Sequence, residues 1–459
     1  MHSIKLLCFL CFGIISCSYS YAATPLTQST TPHFMSVADI HFDPFMSCKT
    51  KPCPLIQALE QAPASQWSAI FSRLDTSTVN YGTECNYPLL ASSLTAIKKE
   101  AQTSQAQFIL VIGDFLAHKF DKKYHEYSPN RTKEGYQSFV KKTLEFLTME
   151  LHQALPKTDI YVAVGNNDTY DKNYTMERNG LFFKDMGAIG ATLIQNRDHQ
   201  SEMSNFFKRG GYYALTIPQQ PNLRLIVLNS VFFSTKAKGH AIDQAAREEL
   251  MWFHQELKAA AKKHQKALIA MHIPTGIDVY ASLHFPFQIT EFWKATYTQQ
   301  FLNEIQQSAP QIFAIFTAHI HADTFQMATV DNNTAIPFIG TPSISPIYGN
   351  NPGFKVYHYS SNPTLKLTDI STYYYSLNHD KKWEKEYDFA TVYQMDPRHE
   401  DIIAGMNHLA LEGALAEEYK RFYAVHADNQ LVAKEWVLYH WCGIRALTRD
   451  QYQKCVSSS

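Results

Sequence analysis

From Phe34 onward the chain alternates short apolar runs with longer amphipathic segments, a rhythm that predicts a layered α/β fold. Several of the runs are rich in β-branched and aromatic residues and read as buried strands. They lie within "HFMSVADIHFDPF", "FILVIGDFLAH", "YVAVGNND", "KALIAMHIPTG" and "IFAIFTAHIHADTF". Later strands are expected in "GFKVYHYS" and "LKLTDISTYYYSLN". From about Pro397 the spacing changes to threes and fours, so "EDIIAGMNHLALEG", "ALAEEYKRFYAVHA" and "NQLVAKEWVLYHWCG" are expected to be helical. No internal repeat or heptad series interrupts the pattern.

The informative feature is how the apolar runs end. The first gives Asp39, His41 and Asp43; the next gives Gly113, Asp114 and His118; then come Gly165, Asn166, Asn167 and Asp168; then His272; then His319 and His321. Taken alone, "GNND" would read as a turn, because Gly, Asn and Asp tolerate left-handed backbone and cap helices. In an open α/β sheet, however, the loops at the carboxyl ends of the strands converge on one crevice. Run after run delivering a metal-competent group at that end makes coincidental turns a poor account. The D-x-H and H-x-H alternation is expected to put both side chains on one side of an extended strand end. Mixed imidazole and carboxylate ligands suit zinc, manganese or iron, whereas calcium would draw almost only oxygen. Two such ions, roughly 3.5–4 Å apart, can share a carboxylate and a hydroxide that attacks phosphorus. The reading is a dinuclear phosphoesterase site.

Composition narrows the partners. The 459 residues are 45% hydrophobic and 13% aromatic, enough for a large core and a smaller second unit. Lys and Arg total 41 against 42 acidic residues, so there is no global basic field to collect a nucleic-acid scaffold. The start, "MHSIKLLCFLCFGIISCSYSYAATP", has Lys5, an apolar run to Ile15 and a small-residue exit near Ala22, the pattern of a secretory leader over residues 1–23. Export to a secreted or periplasmic location follows, with acylation of Cys17 as a lipoprotein variant. In an oxidising compartment Cys442 is expected to pair with Cys455 and Cys48 with Cys53, leaving Cys85 free or competing for Cys53. Residues 24–33, rich in Thr, Pro and Ser, read as a flexible entry segment.

The ordered series Asp39-x-His41, Gly113-Asp114, Gly165-Asn166, His272 and His319-x-His321 resembles the calcineurin-like metallophosphoesterase superfamily. "YGTECNYP", "GDFLAH", "MHIPTG", "AHIHADTF", "TPSISPIYGNNPGFKVYHY" and the tail "WVLYHWCGIRALTRDQYQKC" are similar to its acid sphingomyelinase-like branch. The resemblance implies a four-layer-type α/β sandwich, two mixed sheets flanked by helices, over residues 34–395. It also implies a small helical C-terminal subdomain over 396–459. It implies that Asp39, His41 and His321 hold one divalent ion, that Asn166, His272 and His319 hold the other, and that Asp114 bridges them. Zinc is the first choice of metal, with manganese or iron as alternatives.

Two positions depart from the branch. Ala318 stands where a glycine is usual. Asn167 stands where a histidine helps protonate the leaving group, and an amide does not titrate near neutral pH. His118 is left as the candidate acid. Asn167 either donates hydrogen bonds to a phosphoryl oxygen or caps the following segment. The catalytic unit follows closely on the leader, with no lipid-extracting module ahead of it, which shifts the expectation toward soluble phosphodiester, pyrophosphate or nucleotide substrates. Sphingomyelin or phospholipid head-group cleavage, polyphosphate cleavage, and a weakly active metal-binding protein are the alternatives. The stripe Trp436, Tyr439 and Trp441 is expected to pack on the catalytic unit or, alternatively, to touch a membrane surface.

Overall fold

The computed structural model describes residues 31–75, 77–284, 288–331, 334–361, 364–428, 432–433 and 436–458. The expected leader with Cys8, Cys11 and Cys17, and residues 24–30 of the expected entry segment, lie outside them. Residues 32–459 cluster as one compact unit.

Two six-stranded mixed sheets form the centre. In the first, β1 (His33–Val37), β2 (Phe108–Ile112) and β3 (Asp159–Ala163) run parallel. β10 (Gly353–Ser360) pairs antiparallel with β1 and is followed by β11 (Lys366–Tyr375) and β12 (Trp383–Asp388). In the second, β5 (Gln220–Leu228), β6 (Lys266–Met271), β7 (Ile312–Thr317) and β9 (Ala335–Gly340) run parallel. β4 (Tyr213–Ile217) and β8 (Phe325–Thr329) close its two edges antiparallel. β2 and β3 are buried at every residue, as parallel strands covered on both faces must be.

The sheets meet through aromatic side chains. Phe34 stacks on its cross-strand partner Tyr357 at 4.6 Å and meets Phe316 of the facing sheet edge-on at 5.3 Å. Ser36, buried in the same layer, is satisfied by Thr341 at 2.7 Å and Tyr357 at 2.8 Å. Helices cover the outer faces. Tyr87–Ser104 lies on β1 and β10, its first turn capped by Asn86, whose side chain accepts from the Leu89 N–H at 3.0 Å. His240–Lys262 lies on β5 and β6.

The C-terminal helical pattern appears as Ile402–His408, Ala414–Tyr423, Val437–Arg445 and Arg449–Ser458. Ala414–Tyr423 is fastened to the second sheet's edge by the Tyr419 hydroxyl, 3.0 Å from that of Thr324. Part of the third expected helical run, residues 429–431 and 434–435, lies outside the described residues. Trp436, Tyr439 and Trp441 are half-buried; Trp441 donates to the Leu409 carbonyl at 3.4 Å, and Trp436 meets His284 edge-on at 5.1 Å. Disulfides join Cys48 to Cys53 and Cys442 to Cys455, and Cys85 is free and buried, as the sequence suggested. Among the described residues no helix is long and apolar enough to cross a membrane.

Candidate metal centre

The candidate ligands follow β1, β2, β3, β6 and β7, the parallel strands of both sheets, so the crevice lies at a seam between two sheets and not on one. The expected extended strand ends are absent. Asp39 (φ 48°), His41 (44°), Asp114 (53°), His319 (71°) and His321 (63°) all adopt left-handed backbone just past their strands. The alternation of a pleat therefore does not aim these side chains; tight turns do. Such conformations cost roughly 1–3 kcal/mol each in a residue with a Cβ and persist only where the surroundings impose them. The two glycines of the pattern make the turns close. Gly113 has φ +78°, and a Cβ on Gly165 would stand 2.1 Å from Asp114 Oδ1.

The structure brings the predicted residues together. Asp114, His272 and His319 present ligand atoms within 4.8 Å of one another, as do Asp39, His41 and Asp114, and His41, His118 and His321. Asp114 is shared between groups, the position expected of a bridge. His41 Nε2 lies 3.5 Å from Asp114 Oδ2 and 3.6 Å from Asp39 Oδ1; His321 Nε2 lies 3.3 Å from Asp39 Oδ1. His272 Nε2 lies 3.2 Å from Asp114 Oδ2, without hydrogen-bond alignment. Two imidazoles have their tautomer set from behind: His41 Nδ1 faces the Leu116 carbonyl at 2.9 Å and His272 Nδ1 the Ile112 carbonyl at 2.8 Å, leaving each Nε2 for the crevice.

Asn166 is held similarly. Its Nδ2 donates to Asn173 at 2.8 Å, and its Oδ1 is buried without a partner. Asp39 Oδ1 and His272 Nε2 are likewise buried and unpartnered. Buried polar atoms are nearly always satisfied, so orphans converging on one point mark where something else binds. Oxygen and imidazole donors of this kind fit a pair of zinc, manganese or iron ions.

Electrostatics say the same. Burial opposes ionisation, yet the facing imidazoles hold Asp39 and Asp114 well below the usual carboxylate range. Burial would lower His41 and His272, but the Asp114 carboxylate holds both up at about 9. Burial lowers His319 and His321, the latter against the pull of Asp39. Without ions, protons on His41 and His272 supply the positive charge that the carboxylates need.

Asn167 contacts the shared carboxylate twice, through its backbone N–H to Asp114 Oδ1 and its Nδ2 to Oδ2, both at 2.8 Å. His118 stands at the rim, its ring stacked on His41 at 4.2 Å and its Nε2 3.2 Å from the Tyr348 hydroxyl.

Several residues to which the sequence assigned no role complete the site. Asp168 accepts from the Phe115, Leu116 and Gly165 N–H groups at 2.8, 3.1 and 2.9 Å, tying the loop after β2 to the loop after β3. Burial and the neighbouring Asp114 push its carboxyl up to about 7. The Tyr174 hydroxyl lies 3.5 Å from His319 Nε2. Glu84, inside "YGTECNYP", lies 3.0 Å from His118 Nδ1. Burial would raise its carboxyl, but the bond to His118 and the charges of His41 and Lys123 hold it down at about 2.

Residues 334–459 match the family model described as the acid sphingomyelin phosphodiesterase C-terminal region. The mouse acid sphingomyelinase-like phosphodiesterase 3b is 23% identical over 448 residues, covering 92% of this chain and 89% of its own. The chain is similar over most of its length to acid sphingomyelinase-like phosphodiesterases. The sphingomyelinase phosphodiesterase D of Dictyostelium discoideum is 27% identical over 393 residues, covering 82% of this chain and 80% of its own. The human cyclic GMP-AMP phosphodiesterase SMPDL3A is 20% identical over 438 residues, covering 92% and 89%.

Proposed function

We propose that this protein is an exported metal-dependent phosphodiesterase that hydrolyses phosphodiester or phosphoanhydride bonds in soluble nucleotide-type substrates. The observation that carries the reading is the convergence of buried, unpartnered donor atoms from both sheets around the shared carboxylate of Asp114. Asp39, His41 and His321 would hold one ion and Asn166, His272 and His319 the other. Bound ions would supply Lewis acidity toward a phosphoryl group and an activated water. The chain supplies the rest. Left-handed turns fix the donors, carbonyls behind His41 and His272 set their tautomers, Asn167 steadies Asp114, and His118 at the rim gives a proton to the departing oxygen.

The crevice wall favours an anionic, aromatic substrate. Exposed Lys236 has its ammonium over the Tyr174 ring at 5.4 Å, and its charge is felt at His319 and Asp278. Tyr348, 54% exposed above His118, offers a face on which a base can stack. A relative named for cyclic GMP-AMP agrees with this reading; a relative named for sphingomyelinase supports choline phosphodiesters as the second. Export rests on the leader pattern and the two disulfides.

The test is a panel of nucleotides, choline phosphodiesters, polyphosphate and sphingomyelin micelles, assayed with zinc, manganese or iron and alongside elemental analysis. Higher kcat/KM for nucleotides, with two ions per chain, is expected. Faster cleavage of sphingomyelin than of any nucleotide would replace the first reading by the second.

A further inference from the structure

We infer that Glu84 is a positioning residue that locks His118 with Nδ1 turned inward and Nε2 turned to the crevice. The inference rests on the proposed phosphodiester hydrolysis, with His118 as proton donor. One oxygen of Glu84, Oε1, lies 3.0 Å from His118 Nδ1 and also accepts from the His118 backbone N–H at 3.0 Å. A single carboxylate oxygen thus fastens the ring to its own main chain, across 34 residues of sequence. The side chain has little freedom of its own. Glu84 is 4% exposed, and its Oε2 accepts from the Ser345 hydroxyl at 3.1 Å. The Ser345 N–H in turn donates to the carbonyl of the candidate ligand Asp39 at 3.1 Å. Lys123 provides the compensating charge, 3.9 Å from Glu84 Oε1 and 2.7 Å from Asp43 Oδ2.

The opposite edge of the ring is the one with access. His118 Nε2 meets the hydroxyl of the exposed Tyr348, and the ring plane is fixed by stacking on His41, 19° from parallel. The His118 side chain is 24% exposed, whereas those of Asp39, His41 and His272 are 0% exposed. Glu84 therefore holds the Nδ1 hydrogen toward the interior in both forms of the ring: the doubly protonated imidazole gives its Nε2 proton to the departing oxygen and is left as the Nδ1–H tautomer, which water reprotonates at Nε2. This is the geometry of a base or acid oriented by a carboxylate behind it.

The experiment uses the full-length, metal-replete protein with a nucleoside p-nitrophenyl phosphodiester and the matching methyl phosphodiester. Glu84→Ala should lower kcat for the methyl ester by roughly 10–100-fold, the usual cost of removing an orienting partner. It should leave KM and metal content unchanged and cost far less on p-nitrophenolate, which departs without a proton. Glu84→Ala added to His118→Ala should bring little further loss. Glu84→Gln, which keeps an acceptor oxygen, should restore most of the rate; if the alanine variant fails to fold, Glu84→Met, of similar volume and without an acceptor for Nδ1, takes its place with the same expected loss. Long-range proton–nitrogen NMR of the zinc-loaded protein should show His118 as the Nδ1–H tautomer in the wild type and a mixture in the alanine variant. Equal losses on both esters, additive losses in the double variant, or an unchanged tautomer would overturn the assignment. A wild type that cleaves neither ester would refute the proposed function, and the tautomer comparison would still decide the role of Glu84.

Discussion

Two buried charged clusters lie two residues apart in sequence and have opposite character. Asp323, just beyond His321, is 3% exposed and fully served: Oδ1 takes Lys355 Nζ at 2.6 Å, and Oδ2 takes Thr372 at 2.8 Å and the Tyr387 hydroxyl at 3.0 Å. Lys355 is itself 2% exposed, so charge cancels charge within the chain. Asp39 and Asp114 are buried as deeply, at 0% and 1%, but face imidazoles, and Asp39 Oδ1, 3.3 Å from His321 Nε2, has no hydrogen-bond partner. A buried ion must be paired or coordinate a metal. Where the chain brings its own cation the cluster is structural; where it brings only ligands, the missing charge has to come from outside. The difference separates a fold element from a functional site without reference to any relative.

The sharpest way to break this distinction is to remove the shared carboxylate. Asp114→Asn should lose both ions and cut kcat/KM beyond the roughly 10–100-fold that an outer partner costs, while the fold is retained. Elemental analysis and circular dichroism on the same sample check it, and active protein holding one ion would contradict it. The mirror experiment is Asp323→Ala, which strands Lys355 in the interior. It should cost about 3–5 kcal/mol in urea unfolding yet leave two ions on every folded chain. Replacing Asp323 by Leu and Lys355 by Met together should recover most of that loss, since a well-packed apolar pair is often as stable as a buried ion pair.

Which parts of this contrast could be read from sequence follows from how far apart the partners are. The strands were legible because β2, β3, β6 and β7 are apolar almost throughout, and the ligands were legible because each stands within a few residues of such a run. The reason they converge was not. A D-x-H spacing looks the same whether the backbone is extended or turned left-handed, and only the packing of Gly165 against Asp114 shows which holds. Glu84 sat inside a stretch already noticed, but its contact with His118 is made by tertiary packing, as is that of Asp168 with Phe115 and Leu116 across 53 and 52 residues. The Asp323 cluster spans 32 to 64 residues and left no local mark. Asn167 was conspicuous as an amide in an acid's place, and its two hydrogen bonds to Asp114, across 53 residues, are again made by tertiary packing.

A third test sharpens the contrast through pH. His41 and His272 are raised from 6.5 to about 9 by Asp114, so in the chelated protein their protonation stabilises the fold fully below pH 6.5, and this contribution is lost as pH rises through about 9. Ions replace those protons in the loaded protein. Tm of the chelated protein should therefore fall across this window while that of the zinc-loaded protein stays nearly level. Parallel curves would mean that the ions do not occupy the site formed by these histidines.

The smallest effect is expected at a buried carboxyl with neither lysine nor metal ligands beside it. Glu249 is 0% exposed; its Oε1 accepts from the Asn229 N–H at 2.6 Å, and its Oε2 has no partner. Burial, opposed only by that one bond, raises its carboxyl well above the usual range. A raised acid is stabilising below its unfolded pKa and loses that contribution as pH climbs toward its folded one, so near neutrality Glu249 carries a cost for staying protonated. Glu249→Gln keeps the acceptor for Asn229 and removes the titration. It should raise Tm slightly at neutral pH, and the gain should vanish as pH approaches the ordinary glutamate range. Loss of stability at every pH would show that Glu249 is ionised and compensated after all, and would place it with Asp323 as a group whose counter-charge the chain provides.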